Sequence, residues 1–210
     1  MDTPELYKIV FELSKKYIKS ARTNPDVDLF RVTDIYDAVG PNQCISKQWL
    51  VEEALPYIKE DDKILIQGSW YGILSYFMRK AGLQNQILNV DLDPVAKRIG
   101  QELSPDSEYY TDDAITFYME RRHWITAIAN TSVEHMEPDE FEMVMQSRVP
   151  GTLVMAQSNN NASEDEHINV HKSVDHLADA CSLDDIYYKG SKVFKGKEGW
   201  MYERHLVIGR

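Results

Sequence analysis

The sequence predicts an α/β fold, a mostly parallel sheet flanked by helices and finished by an antiparallel hairpin. Three observations predict it. Short apolar runs at 64–66, 87–90, 124–129 and 151–156, with a weaker one at 108–111, alternate with helix-patterned stretches, as in a chain of βαβ units. Two strand-like runs, 185–194 and 201–208, flank the short connection Lys195-Gly196-Lys197-Glu198-Gly199, which has hairpin chemistry. Residues 63–94 read as strand, glycine turn, helix, strand and acidic tip, with Asp91 standing 23 positions after Gly68. That last layout belongs to nucleotide-binding units, where glycines admit a ligand at a helix N-terminus and an acid accepts from ribose hydroxyls. The turn is G-x-x-x-G rather than G-x-G-x-x-G, so close packing of helix on strand is the competing explanation.

The remaining elements follow in order. Residues 4–19 form an amphipathic helix, with Thr3 as N-cap, Pro4 in the first position and Leu6, Ile9, Val10, Leu13 and Tyr17 on one face. Asn24-Pro25-Asp26 breaks it. A short helix follows Thr33 and stops at Gly40, Pro41-Asn42 makes a turn, and Ser46 caps a helix from Lys47 with Trp49, Leu50 and Leu55 inward. Pro56 lies near its end. Residues 73–80 are helical up to Gly82, 94–103 and 115–121 are helices, and so are 138–146 and 173–180. A polar stretch of 14 residues, 157–170, follows the fifth strand, and a loop of that length at a ligand edge suits substrate binding.

The bulk numbers bound the function. With 210 residues and 43% hydrophobic content, one domain with a terminal extension and a sizeable core is expected. A net charge of −11 argues against non-specific nucleic-acid binding. Two basic clusters, Lys15-Lys16-Lys19-Arg22 and Lys189-Lys192-Lys195-Lys197, read as solvated faces. Two isolated cysteines, Cys44 and Cys181, suit a reducing cytoplasm and give no metal motif. No stretch has the length and apolarity of a membrane span.

The strand tips carry the chemistry. Gln67-Gly68, Asp91, Asp112-Asp113, Asn130-Thr131 and Gln157-Ser158-Asn159 are polar, and the runs behind them are apolar. In an open parallel sheet, ligands sit beyond that edge. Glu134 and His135 follow the fourth strand. Either is a candidate base, although Glu134 equally suits a helix N-terminus and His135 a packed loop. His167 and His171, four apart beside Glu164-Asp165-Glu166, could share a helical face as metal ligands. A solvated acidic loop explains them better, and no metal is assigned. Trp70 and Tyr71 either cover the ligand or pack in the core.

Four motifs in order make residues 47–210 resemble a class I S-adenosylmethionine-dependent methyltransferase. They are Ile66-Gln67-Gly68-Ser69-Trp70-Tyr71-Gly72, Asp91 within Asn89-Val90-Asp91-Leu92-Asp93, Asp112-Asp113-Ala114, and Asn130-Thr131-Ser132-Val133-Glu134-His135-Met136. The resemblance implies a Rossmann-like seven-stranded sheet behind an N-terminal helical extension of residues 1–46, which either packs or acts as a lid. It implies S-adenosylmethionine as cofactor. Gln67, Gly68, Ser69, Trp70 and Gly72 would lie by its methionine part, Asp91 and Leu92 by its ribose. Asp112, Asp113 and Ala114 would lie by its adenine, with Asn130 and Thr131 on the remaining side and Glu134 and His135 as catalytic residues. The run through Glu134-His135 with Gln157-Ser158-Asn159-Asn160 is also similar to phage- and bacterium-encoded methyltransferase-like proteins of unassigned substrate. Gln67 stands where that family usually has an acid, and Trp70 stands at its middle glycine, so a different path is expected for the turn.

The expectation is a cytoplasmic enzyme that methylates a small-molecule substrate, without nucleic acid or membrane and with a homodimer admitted. Two alternatives stay open. One is non-methyl chemistry on the same cofactor, namely aminopropyl or aminocarboxypropyl transfer or cleavage. The other is a binding protein without turnover.

Overall fold

A computed structural model describes residues 3–21, 30–196 and 199–210, without the side chains of residues 3 and 21. The capping role of Thr3, the break at Asn24-Pro25-Asp26, Arg22, and Lys197-Glu198 of the hairpin connection lie outside the described residues.

Three helices lead: α1 (Thr3–Ala21), α2 (Phe30–Ala38) and α3 (Pro41–Ala54), the last followed by a 3₁₀ turn at Leu55–Tyr57. Then come β1 (Lys63–Gln67), α4 (Ile73–Lys80), β2 (Gln86–Asp91), α5 (Pro94–Leu103), β3 (Glu108–Thr111), α6 (Ala114–Arg121) and β4 (Ala127–Asn130). After a 3₁₀ turn at Val133–His135 follow α7 (Pro138–Ser147), β5 (Leu153–Asn159), α8 (Val174–Cys181), β6 (Ile186–Lys195) and β7 (Met201–Gly209). The seven strands form one sheet in the order β3-β2-β1-β4-β5-β7-β6. β1 to β5 pair in parallel, and β7 enters antiparallel between β5 and β6.

Alternation along the strands builds two cores, one on each face. In β1, Ile64 and Ile66 join the face covered by α1 to α5, and Leu65 joins the face covered by α6 to α8. Trp49 anchors the first core, fully buried, with its indole N–H donating to Tyr188 Oη at 3.0 Å. Both cysteines are buried and free. Local caps define several helix starts. Asp93 accepts from Val95 N, Asp113 from Thr116 N and Ser173 from His176 N, each satisfying a donor the first turn leaves orphaned.

Several expectations are corrected. Pro41-Asn42 opens α3 instead of forming a turn, because proline fits the first helical position. Ser46 is therefore mid-helix and caps nothing; its hydroxyl donates to Gln157 Oε1 at 2.9 Å. Leu55 falls past the end of α3 and is exposed. The second helix begins at Phe30 rather than after Thr33. Trp124 lies outside the fourth strand and is exposed, its ring covered by the Lys63 ammonium. Gln157, Ser158 and Asn159 are not a tip but the last residues of β5, fully paired with Leu206, His205 and Arg204 of β7. β4 stops pairing at Ala156, and the continued pairing with β7 on the other side carries β5 beyond the point where its apolar residues end.

Candidate active site

The turn after β1 is shaped by Asp91. Its Oδ2 accepts from Trp70 N at 2.7 Å and its Oδ1 from Asp93 N at 3.0 Å. The carboxylate at the end of β2 therefore holds the glycine turn on one side and its own following turn on the other. Gly68 and Gly72 take positive φ, and so does Trp70 (φ 47°), an uncommon conformation for a bulky side chain. Trp70 thus takes the left-handed conformation a glycine adopts freely, held there by its bond to Asp91 and by stacking on Tyr71 at 5.2 Å. Gly72 answers to packing: a Cβ there would lie 2.4 Å from Tyr109 Oη. The same ring fills the space beside Gly100.

Beyond the strand ends lies a cleft of about 240 Å³. Gln67, Gly68, Asp91, Leu92, Asp112, Asp113 and Ala114 line it. Asn130 and His135 line it too, with Ser132, Met136 and Glu140. Asn130 is fixed by both ends of its amide, accepting from Ser132 N and donating to Met136 Sδ. Gln67 is different. It is fully buried, and neither its Oε1 nor its Nε2 has a partner among the described residues. Burying an amide without hydrogen bonds costs about 1–3 kcal/mol, and a ligand that both donates and accepts would remove that cost.

The leading helices reach this edge through ion pairs. Arg31 Nη1 donates to Asp93 Oδ2 at 2.5 Å and to Tyr71 Oη at 3.2 Å, and Tyr71 Oη donates to Asp34 Oδ2 at 3.1 Å. α2 is thereby pinned beside the turns that Asp91 organises.

Behind His135 sits a buried charged group. Glu134, 2% exposed, accepts at Oε1 from Arg204 Nη2 at 2.8 Å and from Asn159 Nδ2 at 2.6 Å. Arg204 also donates to Thr131 O. Lys47 is buried nearby with its ammonium on Gln43 Oε1. Burial, and secondarily the Arg204 charge, push its pKa down to about 7. In the segment after β5, His167 meets His135, their rings 4.8 Å apart. His171 does not share a helical face with His167, since residues 160–172 are not helical. It is buried against Ser158, and burial together with His176 holds its pKa down at about 4.

The strand order and the site edge decide the fold. The chain has the class I methyltransferase fold. Known structures agree. An S-adenosylmethionine-dependent methyltransferase from Agrobacterium tumefaciens matches with TM-score 0.54 and 14% identity over 80% of this chain. This chain spans only 61% of that methyltransferase's length. The plantazolicin methyltransferase BpumL, in complex with a pentazolic desmethylPZN analog and SAH, matches with TM-score 0.57 and 11% identity over 96% of this chain and 98% of its own. A geranyl diphosphate methyltransferase in complex with GPP and sinefungin matches with TM-score 0.59 and 9% identity over 80% of this chain and 78% of its own. No family model matches the sequence, and neither does any curated protein.

On this methyltransferase fold the structure gathers most of the residues expected at the site. Gln67, Gly68, Asp91, Leu92, Asp112, Asp113, Ala114, Asn130 and His135 face one cleft. Ser69, Trp70, Gly72, Thr131 and Glu134 do not line it; they shape the turns behind it. Sequence reasoning missed Lys47 as a buried amine and Arg204 as the partner of Glu134. Arg204-His205 interrupting the apolar end of the last strand is the signal that could have found the second; Lys47 has none.

Proposed function

We propose that the chain is an S-adenosylmethionine-dependent methyltransferase acting on a small-molecule acceptor. The observation that carries this is Asp91. Its carboxylate ends β2 at the cleft, oriented by two backbone N–H groups, with acceptor capacity left for two ribose hydroxyls. The residues around it fit the rest of the cofactor. Gln67, buried and without a partner among the described residues, offers both a donor and an acceptor to an amino-acid end. Leu92, 71% exposed, offers an apolar surface to a base at the end where Asp112 and Asp113 stand. When bound, the cofactor supplies an already activated methyl group, and the protein's work is to position a nucleophile in line with it. Of the two residues expected at the acceptor side, His135 reaches the cleft and Glu134 is held behind it.

The small acceptor is supported by the net charge of −11, which disfavours a nucleic-acid substrate. Calorimetry with S-adenosylmethionine and S-adenosylhomocysteine tests the reading, and failure to bind either refutes it. Mass spectrometry of products formed in a metabolite extract then reads the group transferred. A mass gain other than one methyl group would favour aminopropyl or aminocarboxypropyl chemistry.

A further inference from the structure

One carboxylate oxygen of Glu134 and one nitrogen each of His135 and His167 lie within 4.8 Å of one another. The geometry points to a divalent transition-metal site at Glu134, His135 and His167, with its open position facing the acceptor. The metal stands on this cluster alone; its role toward an acceptor rests on the methyltransferase reading above.

Each ligand is prepared by its surroundings. Glu134 spends only Oε1 on Arg204 and Asn159, while Oε2 is buried with no partner among the described residues. An unpaired oxygen on a buried carboxylate is costly, and a cation relieves it. His167 Nδ1 lies 2.7 Å from Asn161 O, which places the ring proton on Nδ1 and leaves the Nε2 lone pair free. Metal-bound imidazoles are oriented in this way, through a hydrogen bond at the other nitrogen. His135 is exposed and stands edge-on to His167 at 79°, so the pair is reachable from solvent.

The segment carrying His167 is also tied down. Asn161 N donates to Asn159 Oδ1 at 2.8 Å, and Asn161 Oδ1 accepts from Ser163 N and Oγ. Asn169 N donates to the backbone oxygen of Glu134 itself at 3.0 Å, and His171 N to Asn159 O at 2.9 Å. A polar loop crossing from β5 to α8 is thereby fastened over the turn that holds Glu134 and His135. The pairing is long-range: Glu134 and His135 meet His167, and His171, the partner its spacing offers, is turned into the core.

Two imidazoles and one carboxylate suit Zn²⁺ and its neighbours Co²⁺ and Ni²⁺, and three protein ligands leave a position open. His135 lines the cleft, so that position adjoins the space where an acceptor meets the methyl group. Arg204 already shares the single negative charge of Glu134, and the site therefore favours an anionic fourth ligand. A hydroxyl acceptor bound there releases its proton to solvent. Its oxygen lone pair forms the bond to the methyl carbon, the carbon–sulfur bond breaks, and that electron pair returns to sulfur, giving S-adenosylhomocysteine. No oxidant or reductant is needed.

The test uses the full chain, stripped with a chelator. Zn²⁺ is titrated by calorimetry and Co²⁺ by its visible absorption, and each variant is checked by circular dichroism. The expected result is one ion per chain, Co²⁺ displaced by Zn²⁺, and binding weakened more than about tenfold by H167A and by H135A. Replacing His123, exposed and outside the cluster, leaves binding unchanged. Absence of a stoichiometric ion overturns the site, and so does an ion indifferent to H167A and H135A. S-adenosylhomocysteine titrated into the same preparation separates the two readings. Metal without nucleoside upholds this site and refutes the methyltransferase; nucleoside without metal does the reverse.

Discussion

Replacing Asp91 tests the site at the point where its geometry is most defined. In the folded chain its two oxygens accept from Trp70 N and Asp93 N at 2.7 and 3.0 Å. Each oxygen keeps a further lone pair, which the proposed complex gives to one ribose hydroxyl. Asp91→Asn turns one acceptor into a donor and removes the charge. A hydrogen bond to a charged group contributes about 1.5–3 kcal/mol, so the affinity for S-adenosylhomocysteine should fall roughly 10- to 150-fold. Asp91→Ala removes both acceptors, about 3–6 kcal/mol, and should lower affinity by roughly two to four powers of ten. Asp91→Ala also loses both backbone bonds and Asp91→Asn one of them, so circular dichroism and thermal unfolding must accompany the calorimetry. A folded Asp91→Ala protein that binds within about threefold of the parent would refute the placement of the ribose at the end of β2.

Three further outcomes are expected. Gly72→Ala adds the left-handed strain of about 1–2 kcal/mol to a collision with Tyr109 Oη at 2.4 Å. Its Tm should therefore fall further than that of Gly82→Ala, where φ is 91° but nothing lies within 4 Å; equal falls would mean the Tyr109 ring gives way freely. Arg204→Met leaves the Glu134 charge buried without its cation and should cost about 3–5 kcal/mol, with part recovered by adding Glu134→Gln. An unchanged urea midpoint for the single variant would show that the pair is not coupled. His171 has a folded pKa of about 4 against 6.5 for the free side chain, so between these values the unfolded chain holds the extra proton. Stability from this group is complete above about pH 6.5 and is lost as pH falls toward 4, by up to about 3 kcal/mol. His171→Asn should flatten the stability profile across that window, and an unaltered slope would assign the acid sensitivity to other groups.

The strands and most helices were legible because their signals are local. The run Ile64-Leu65-Ile66 and the stop at Gly82 each act within a few residues of themselves. The elements misread were those whose boundaries depend on partners. β5 continues through Gln157-Ser158-Asn159 because β7 pairs with it there, and pairing with a strand some fifty residues later leaves no mark in the polar sequence. Ser46 looked like a cap because serine usually is one; it is buried mid-helix to meet Gln157. Gly72 followed the spacing of a ligand turn, yet its space belongs to a tyrosine from β3.

By itself, then, the sequence determined the α/β class, the hairpin at its end and the set of polar residues closing each parallel strand. Periodicity, turn chemistry and the spacing from Gly68 to Asp91 suffice for these, since each is fixed by the chain's near neighbours. Tertiary structure alone decided which polar residues face one cleft and which stand behind it. It matched Arg204 to Glu134 across seventy residues, left both amide atoms of Gln67 without a partner among the described residues, and set His167 rather than His171 against His135. Those outcomes follow from strand order and loop closure, which bring distant charges into a low-dielectric interior where an unmatched group is costly.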